Sequence, residues 1–312
     1  MRSVLSAVAG IAAAGLLVGG CGLGPSQLGA AAFVDGTEIP LEQVHSQLAR
    51  VLTKEGPQVR AELEASHQLG DVSRKIVTVQ IRHQLLDVAA HRAGLGVNQA
   101  RVNRLIMELG GAEVASKGTI FDANGYRERA RDKLLMVALG RAEVRNSAVT
   151  VDYTTADTRT AAQQRVEELS RAGSKRARQS IGADVRAGKQ AELDKRIAAA
   201  DDPIFATTPA FGVPAGTVVA FQLADTTPWV IMVVKNRTDR GARASEHAPQ
   251  LDQIDPAVLE AIGLRQLARV GQELGVRPSP RYGVWDPVRV QVVPDENETG
   301  GFLAPLRSAP LA

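Results

Sequence analysis

The side chains most able to bind a metal ion or to act as nucleophile and base are one cysteine, Cys21, and five histidines. The histidines are scattered, and no His-x-x-x-His or Cys-x-x-Cys spacing occurs. His83 and His91 are eight residues apart, which on a helix separates them by about 12 Å along the axis, too far to share one ion. We therefore expect no metal site and no metal cofactor.

Two patterns that often identify enzymes are absent or incomplete. No serine stands in a Gly-x-Ser-x-Gly turn. The segment GADVRAGKQ resembles a phosphate-binding loop, but five residues instead of four separate Gly182 from Gly188. In addition, Gln190 replaces the serine or threonine that would bind magnesium. We assign no catalytic residue from these motifs.

Cys21 lies at the end of a segment that is typical of an export signal. The apolar stretch before it is shorter than the roughly 20 residues that a membrane-spanning helix needs. The small residues VGG directly before Cys21 resemble the lipobox of bacterial lipoproteins, in which the thiol is acylated. We therefore predict a signal peptide at 1–20, a tether at 21–31, and covalent lipid on Cys21 in place of any cofactor. The alternative is a conventional signal peptide that contains an unmodified cysteine.

The predicted lipid places the mature chain on the extracytoplasmic face of the bacterial cell membrane, because several acyl chains anchor a protein stably. Export excludes nucleic acid as a partner. The formal net charge of the whole sequence is only +3. The basic stretch at 171–196, with eight basic and three acidic residues, lacks aromatic side chains that would stack on bases. We interpret this stretch as a solvated helix or a mobile segment.

Apolar residues at helical spacing predict several packed helices. The first begins at Pro40, and others are predicted through residues 72–90, 102–109, 126–144 and 256–274. A further helix is predicted at 156–172.

The hydrophobic period changes from 3.6 to 2 after the first group of helices, which marks the start of a region with strands. Strands are predicted at residues 147–154, 217–223, 229–235 and 288–293. The tail at 294–312 is rich in Pro, Gly and Asn, and we expect it to be disordered.

Two motifs resemble the SurA/PrsA class of extracytoplasmic foldases. VDGTEI at 34–39, followed by a helix, is similar to the V-N-G-x-x-I opening of that class. VRPSPRYGVWDP at 276–287 resembles the V-N-P-R-Y-G-x-W-D signature of actinobacterial SurA-like lipoproteins, with Ser279 where asparagine is usual. The resemblance implies a mainly α fold with a smaller α+β insert, in which a C-terminal helix and strand complete a helical SurA-like chaperone domain.

The same resemblance implies a division of the mature chain. The chaperone domain would consist of residues 32–146 together with residues 250–293, which return to it. Residues 147–245 would form the insert, in the place that a parvulin prolyl isomerase domain occupies in that class.

The insert lacks the two histidines of a parvulin, since no histidine occurs in it. Asp152 or Tyr153 stands near the first family position, and Pro228 or Trp229 stands near the second. We therefore expect a degenerate parvulin-like domain without isomerase activity. An unrelated α/β insert and an active isomerase with unusual residues are the alternatives.

The function that follows is a lipid-anchored chaperone that binds unfolded or nascent exported proteins by burying their apolar groups. Its client-binding groove would include Leu105, Ile106, Met107 and Met136, because methionine suits promiscuous apolar surfaces. A place in the hydrophobic core is the other interpretation of these four residues. The alternative functions are an active peptidyl-prolyl cis-trans isomerase and a non-catalytic binding or scaffold lipoprotein of the cell envelope.

Overall fold

The computed structural model describes residues 29–246 and 248–307. The predicted signal peptide and Cys21 lie outside the described residues. Within these residues, no helix is both long enough and apolar enough to cross a membrane. The predicted tether ends earlier than expected, because Ala30 and Ala31 are already buried in the first strand.

Helices provide most of the ordered structure, and a smaller part consists of strands, which confirms the predicted fold class. The helices are α1 (Leu41–Glu55), α2 (Pro57–Ala65), α3 (Leu69–Arg92), α4 (Gln99–Glu108), α5 (Ala112–Ser116), α6 (Ala123–Asn146), α7 (Arg159–Arg186) and α8 (Pro256–Leu274). The strands are β1 (Ala30–Val34), β2 (Thr37–Pro40), β3 (Ala148–Ala156), β4 (Glu192–Ala198), β5 (Thr217–Phe221), β6 (Trp229–Thr238), β7 (Val276–Pro278), β8 (Val284–Asp286), β9 (Gln291–Val293) and β10 (Gly301–Pro305).

The helices predicted from apolar spacing are confirmed as α1, α3, α4, α6 and α8, and the helix predicted at 156–172 is the first half of α7. Their starts have local causes. The side chains of Asn98, Asp122 and Asp255 accept hydrogen bonds from backbone N–H groups in the first turns of α4, α6 and α8. The buried faces of α1, α3, α6 and α8 meet in one hydrophobic core.

The C-terminal part of the chain returns to the N-terminal strands. β7 pairs antiparallel with β1, so that Val276 lies opposite Val34 in a sheet of order β2-β1-β7. The strand predicted at 288–293 is shorter than expected, because only β9 is extended there and it pairs with β8. The Asp286 carboxylate accepts hydrogen bonds from the N–H groups of Val288 and Arg289. These bonds hold residues 287–290 in a turn between β8 and β9.

The four strands of the insert form a five-stranded antiparallel sheet together with β10 of the C-terminal tail, in the order β10-β5-β6-β3-β4. Residues of α7 pack on one face of the sheet, and residues of α6 and α8 pack on the other. The sheet is therefore a middle layer between α7 and the helices of the N-terminal core.

The prediction of a disordered tail is wrong for its described part, residues 294–307. Residues 301–305 form β10, which pairs with β5 so that Leu303 lies opposite Val219. Phe302 packs against Trp229 with ring centroids 5.6 Å apart. The stabilisation from pairing an apolar segment with a free sheet edge is larger than the tendency to disorder that the flanking glycine and proline residues suggested.

The basic stretch at 171–196 consists of the second half of α7 followed by the edge strand β4. Of the two interpretations, a helix is confirmed up to Arg186, and a mobile segment is wrong. α7 is kinked at Gly173, whose φ of 70° is in the left-handed region. Arg178 and Asp194 join the helix to β4 by an ion pair of 2.6 Å. Charged side chains are the usual protection of an edge strand, which explains why this strand looked like a solvated segment.

Candidate functional site

The four residues predicted to line a client-binding groove do not lie together. Ile106 is buried in a small core formed by α4, α5 and α6, and Leu105 packs beside it. Met107 points away from that core with 77% of its surface exposed. Met136 is buried among the residues of the main core between α3 and α8. The core interpretation therefore describes Leu105, Ile106 and Met136, and Met136 also lines a cavity.

That cavity belongs to a larger depression between the helices, which we call the interhelical cleft. It consists of two adjoining cavities of about 500 and 310 Å³, both within the range of natural ligand pockets. Their shared wall is formed by Val79, Phe121, Arg129 and Asp132. The larger cavity lies between α1, α3 and the start of α6, and the smaller one lies between α3, α6 and α8.

The larger half of the interhelical cleft is rich in side-chain amides. Gln43 and Gln47 of α1 face Gln80 and Gln84 of α3, and Asn124 lies at the start of α6. The Nε2 atom of Gln80 donates to Oε1 of Gln47 over 3.1 Å. The Oε1 atoms of Gln80 and Gln84 are buried without a hydrogen-bond partner among the described residues. A carboxamide both donates and accepts, as a peptide group does, and a buried acceptor without a partner is costly.

The smaller half of the cleft is mainly apolar, although Arg82 and Glu260 also line it. Leu86 and Met136 form its inner side, and Ala257, Ala261 and Leu264 of α8 form its outer side. The amphipathic pattern of α8 places these residues here, because its more deeply buried face packs against α6. An apolar side chain of a ligand would leave water here and contact aliphatic carbon.

Charged groups line the boundary between the two halves. His83 Nδ1 lies 2.8 Å from an oxygen of the buried Asp132 carboxylate. This hydrogen bond raises the pKa of His83, although burial acts in the opposite direction, and Asp87 and Glu128 add to the increase. Arg129 forms an ion pair of 2.6 Å with Glu260 of α8, which connects two walls of the cleft.

Of the four parvulin-like positions, the two on β3 have structural roles. The almost fully buried Asp152 accepts a hydrogen bond of 2.7 Å from the N–H group of Asp194. Its carboxylate also lies 3.3 Å from the Lys235 ammonium and 3.5 Å from the Arg178 guanidinium. Tyr153 is half-buried on the opposite face of the strand, with the Lys195 ammonium 5.6 Å from the centre of its ring.

The other two positions precede or begin β6. Pro228 is exposed, and Trp229 is buried opposite Ala156 of β3. Ala156 is four residues beyond Asp152, so about 13 Å of strand separates the two candidate positions. The structure does not bring them together. Within the described residues, no group of three His, Cys, Asp or Glu side chains could hold a metal ion.

The amide-rich half of the cleft was missed from the sequence, although a signal for it exists. The two pairs Gln43/Gln47 and Gln80/Gln84 each have a spacing of four residues, which places both members on the same helix face. A surface helix would ordinarily carry charged residues at such positions, and paired glutamines next to an apolar face indicate a polar surface that is partly buried.

Comparison with known proteins gives a distant structural similarity. No protein-family model matches the chain, and no curated protein matches it. Among solved structures, the chain is similar to the crystal structure of the foldase protein PrsA from Lactococcus lactis, with 9% sequence identity and a TM-score of 0.28. The match covers 80% of this chain and 94% of that one. A TM-score of this size carries no argument about function, which is inferred from the geometry of the interhelical cleft.

Proposed function

We propose that the protein is a chaperone that binds extended segments of unfolded exported polypeptides in the interhelical cleft. The observation that supports this function is the continuity of an amide-lined half with an apolar half across α1, α3, α6 and α8. A folded surface presents few free peptide groups next to apolar side chains, whereas an unfolded segment presents both along its whole length.

The amide-lined half suits the backbone of such a segment. The carboxamides of Gln43, Gln80 and Gln84 match the donor and acceptor of a peptide group, whatever side chain the segment carries at that position. Recognition of the backbone makes binding tolerant of sequence, which a chaperone with many clients requires.

The apolar half supplies most of the binding energy. An aliphatic client side chain buried between Met136 and Leu264 would contribute about 1.5 to 3 kcal/mol. Part of this gain offsets the loss of freedom of the bound segment, so we expect weak and reversible binding. Weak binding allows a client to leave and fold.

We propose further that the insert has no isomerase activity. Isomerisation of a prolyl bond faces a barrier of about 20 kcal/mol, which an enzyme lowers with groups that reach the substrate. Asp152 is buried, with Lys235 and Arg178 beside its carboxylate. Trp229 is buried and packs against Phe302. Neither side chain is free to contact a proline-bearing substrate.

The lipid on Cys21 completes the proposal by holding the chaperone at the extracytoplasmic face of the membrane, where exported chains emerge unfolded. Replacing the thiol with a hydroxyl in Cys21→Ser removes the acylation site. We expect this variant to leave the membrane fraction of cells and to appear in the soluble extracytoplasmic fraction. Retention of the variant in the membrane fraction would show that another part of the chain anchors it.

The chaperone proposal predicts that purified protein suppresses aggregation of a chemically unfolded client at stoichiometric ratios. Ala261→Glu places a charge in the apolar half of the cleft at only a small loss of helix propensity. We expect about tenfold more of this variant to be needed for the same suppression, because about 1.4 kcal/mol of binding energy is lost. Light scattering of the client during dilution from denaturant measures the effect.

Ala183→Glu is the matched control, since Ala183 is exposed on α7 and lies outside the cleft. Equal suppression by both variants would place client binding elsewhere on the protein. If the unaltered protein did not suppress aggregation of the client, the chaperone proposal itself would be wrong. The same preparation should leave the cis/trans exchange of a Xaa-Pro peptide unchanged, and acceleration would instead establish an isomerase.

A further inference from the structure

A further cavity shares no lining residue with the interhelical cleft and contains three arginines. Its volume is about 490 Å³, and its lining includes Arg159 of α7, Arg265 of α8 and Arg289 of the turn before β9. We call it the arginine pocket. The described part of the tail closes one side of it, because Thr299 and Gly300 also line the pocket.

The arginines make hydrogen bonds to neutral groups. Arg159 donates to the carbonyl oxygen of Thr299 over 2.7 Å, and Arg265 donates to that of Val288 over 2.7 Å. Arg289 donates to the carbonyl oxygen of Glu298 over 3.2 Å. Carbonyl groups fix the position of a guanidinium but leave its charge uncompensated.

Carboxylates compensate this charge only in part, because Asp286 favours the charged form of Arg265 without forming an ion pair with it. Among the described residues, none of the three arginines forms an ion pair within 4.0 Å. Asp286, which is fully buried nearby, already accepts hydrogen bonds from three backbone N–H groups. Asp225 is the acidic residue in the lining of the pocket. The lining therefore carries three positive charges and one negative charge.

Two deeply buried polar groups in the lining have unused hydrogen-bonding capacity. Arg265 is only 7% exposed, and its Nε atom has no partner among the described residues. Thr208 is 6% exposed, and its hydroxyl likewise has no partner there. Burial lowers the pKa of Arg265 to about 10, and the neighbouring charge of Arg82 acts in the same direction, whereas the Asp286 carboxylate acts in the opposite one. A buried guanidinium in this state gains from any anion that reaches it.

We propose that the arginine pocket binds a small dianion of the phosphate monoester type. Two excess positive charges match the charge of about −1.5 to −2 that a phosphate monoester carries at neutral pH. Three guanidinium-bearing side chains in the lining of one cavity suit a group that offers several oxygens. A single carboxylate would leave one positive charge of the pocket uncompensated.

Arg159 gives the pocket a rigid side. Its guanidinium lies over the rings of Phe302 and Trp229, 4.7 and 5.6 Å from their centres. The stacking holds the planar group in one orientation before any ligand arrives, which reduces the ordering cost of binding. Trp229, at a parvulin-like position, thus supports an anion-binding arginine.

The test is a calorimetric titration of the purified full chain with phenyl phosphate, in which the heat of binding is measured. Parallel titrations use inorganic phosphate, acetate and vesicles that contain phosphatidylglycerol, so that a free monoester is distinguished from a carboxylate and from a lipid head group. We expect phenyl phosphate and inorganic phosphate to bind, acetate to bind much more weakly, and binding to weaken with added salt.

Arg289→Gln is the test variant, because Arg289 is exposed and its loss does not open the core. We expect its Kd for phenyl phosphate to rise about tenfold, since one charge-assisted hydrogen bond is lost. Arg281→Gln removes the same charge at an exposed position outside the pocket and should bind as the unaltered chain does. Circular dichroism verifies that both variants are folded.

Several outcomes would overturn the proposal. These are no heat of binding at a concentration on the order of 10 mM, equal weakening by both variants, and acetate binding as tightly as phosphate. Binding to the vesicles without binding of either free phosphate compound would also overturn it, because the site would then recognise a lipid surface.

Discussion

Replacing Gly263 with alanine is expected to lower the free energy of unfolding by about 3 kcal/mol, although the same change stabilises most helices. α6 and α8 cross so closely that a Cβ atom on Gly263 would lie 2.0 Å from the carbonyl oxygen of Met136. The contact is reciprocal, since a Cβ atom on Gly140 would lie 1.9 Å from the carbonyl oxygen of Leu259. Both obstacles are backbone, so a side-chain rotation cannot relieve them.

The two effects of this substitution oppose each other, and their sizes decide the result. Alanine is more favourable than glycine in a helix interior by about 1 kcal/mol. Separation of two packed helices costs more than the usual range for overpacking, about 4 kcal/mol, because contacts along the whole crossing are loosened. The steric effect therefore wins, with a net loss near the figure given above.

Urea unfolding monitored by circular dichroism measures this loss. Gly70→Ala is the matched control, because Gly70 lies in α3 and a methyl group added there would have nothing within 4 Å of it. We expect the control to be as stable as the unaltered chain or slightly more stable. A loss below about 1 kcal/mol for Gly263→Ala would mean that the helices separate at little cost.

This crossing shows one limit of the sequence. Glycines at 140 and 263 look like weak points of two amphipathic helices, because propensity counts only the helix that contains them. The contribution of each glycine to stability depends on a partner helix that is more than one hundred residues away in the sequence. The helices themselves were predictable, since apolar spacing is a local property that survives in the fold.

The missed strands have a similar explanation. β4 contains the exposed run Asp194, Lys195 and Arg196, which lacks the alternation of a half-buried strand. β10 is five residues long and lies between glycine and proline residues. Both are edge strands of the sheet, and an edge strand is specified mainly by the neighbour with which it pairs.

The candidate sites were harder to predict than the fold. Met136 was chosen for its residue type, and it lines the interhelical cleft at the edge of the core, whereas Met107 is exposed on a different helix. The arginine pocket joins residues 159, 208, 265 and 289, and no local pattern relates these positions. These residues come to one cavity only because the helices and strands that carry them are neighbours in the folded structure.

Replacing Glu143 with glutamine is the other substitution expected to have a large effect, again a loss of about 3 kcal/mol or more. Glu143 of α6 forms an ion pair with Arg237 of β6, and their side chains are only 7% and 4% exposed. Arg237 also donates to the carbonyl oxygen of Phe211 over 2.8 Å and to Asp239 over 2.5 Å. The pair thus joins the helical core to the central strand of the insert.

The loss of stability in Glu143→Gln comes mainly from Arg237, which stays charged and buried after its partner is removed. Without the Glu143 charge, the buried guanidinium of Arg237 keeps only one charged partner within ion-pair distance among the described residues, Asp239, which is half exposed. Burial tends to raise the pKa of Asp239, but Arg237 and Arg269 together hold it below its ordinary value, so this carboxylate stays ionised and limits the damage. Breaking a buried pair typically costs about 3 to 5 kcal/mol, and the remaining ion pair favours the lower end of this range.

A double-mutant cycle separates the interaction from the cost of the orphaned charge. Glu143→Leu with Arg237→Leu removes both charges and fills the site with apolar side chains of similar size. We expect the double variant to be more stable than either single variant, because no buried charge is left without its partner. Urea unfolding of the four proteins gives the coupling energy. Additive losses would show that the two side chains act independently, and the junction between α6 and β6 would then depend on the apolar contacts around them.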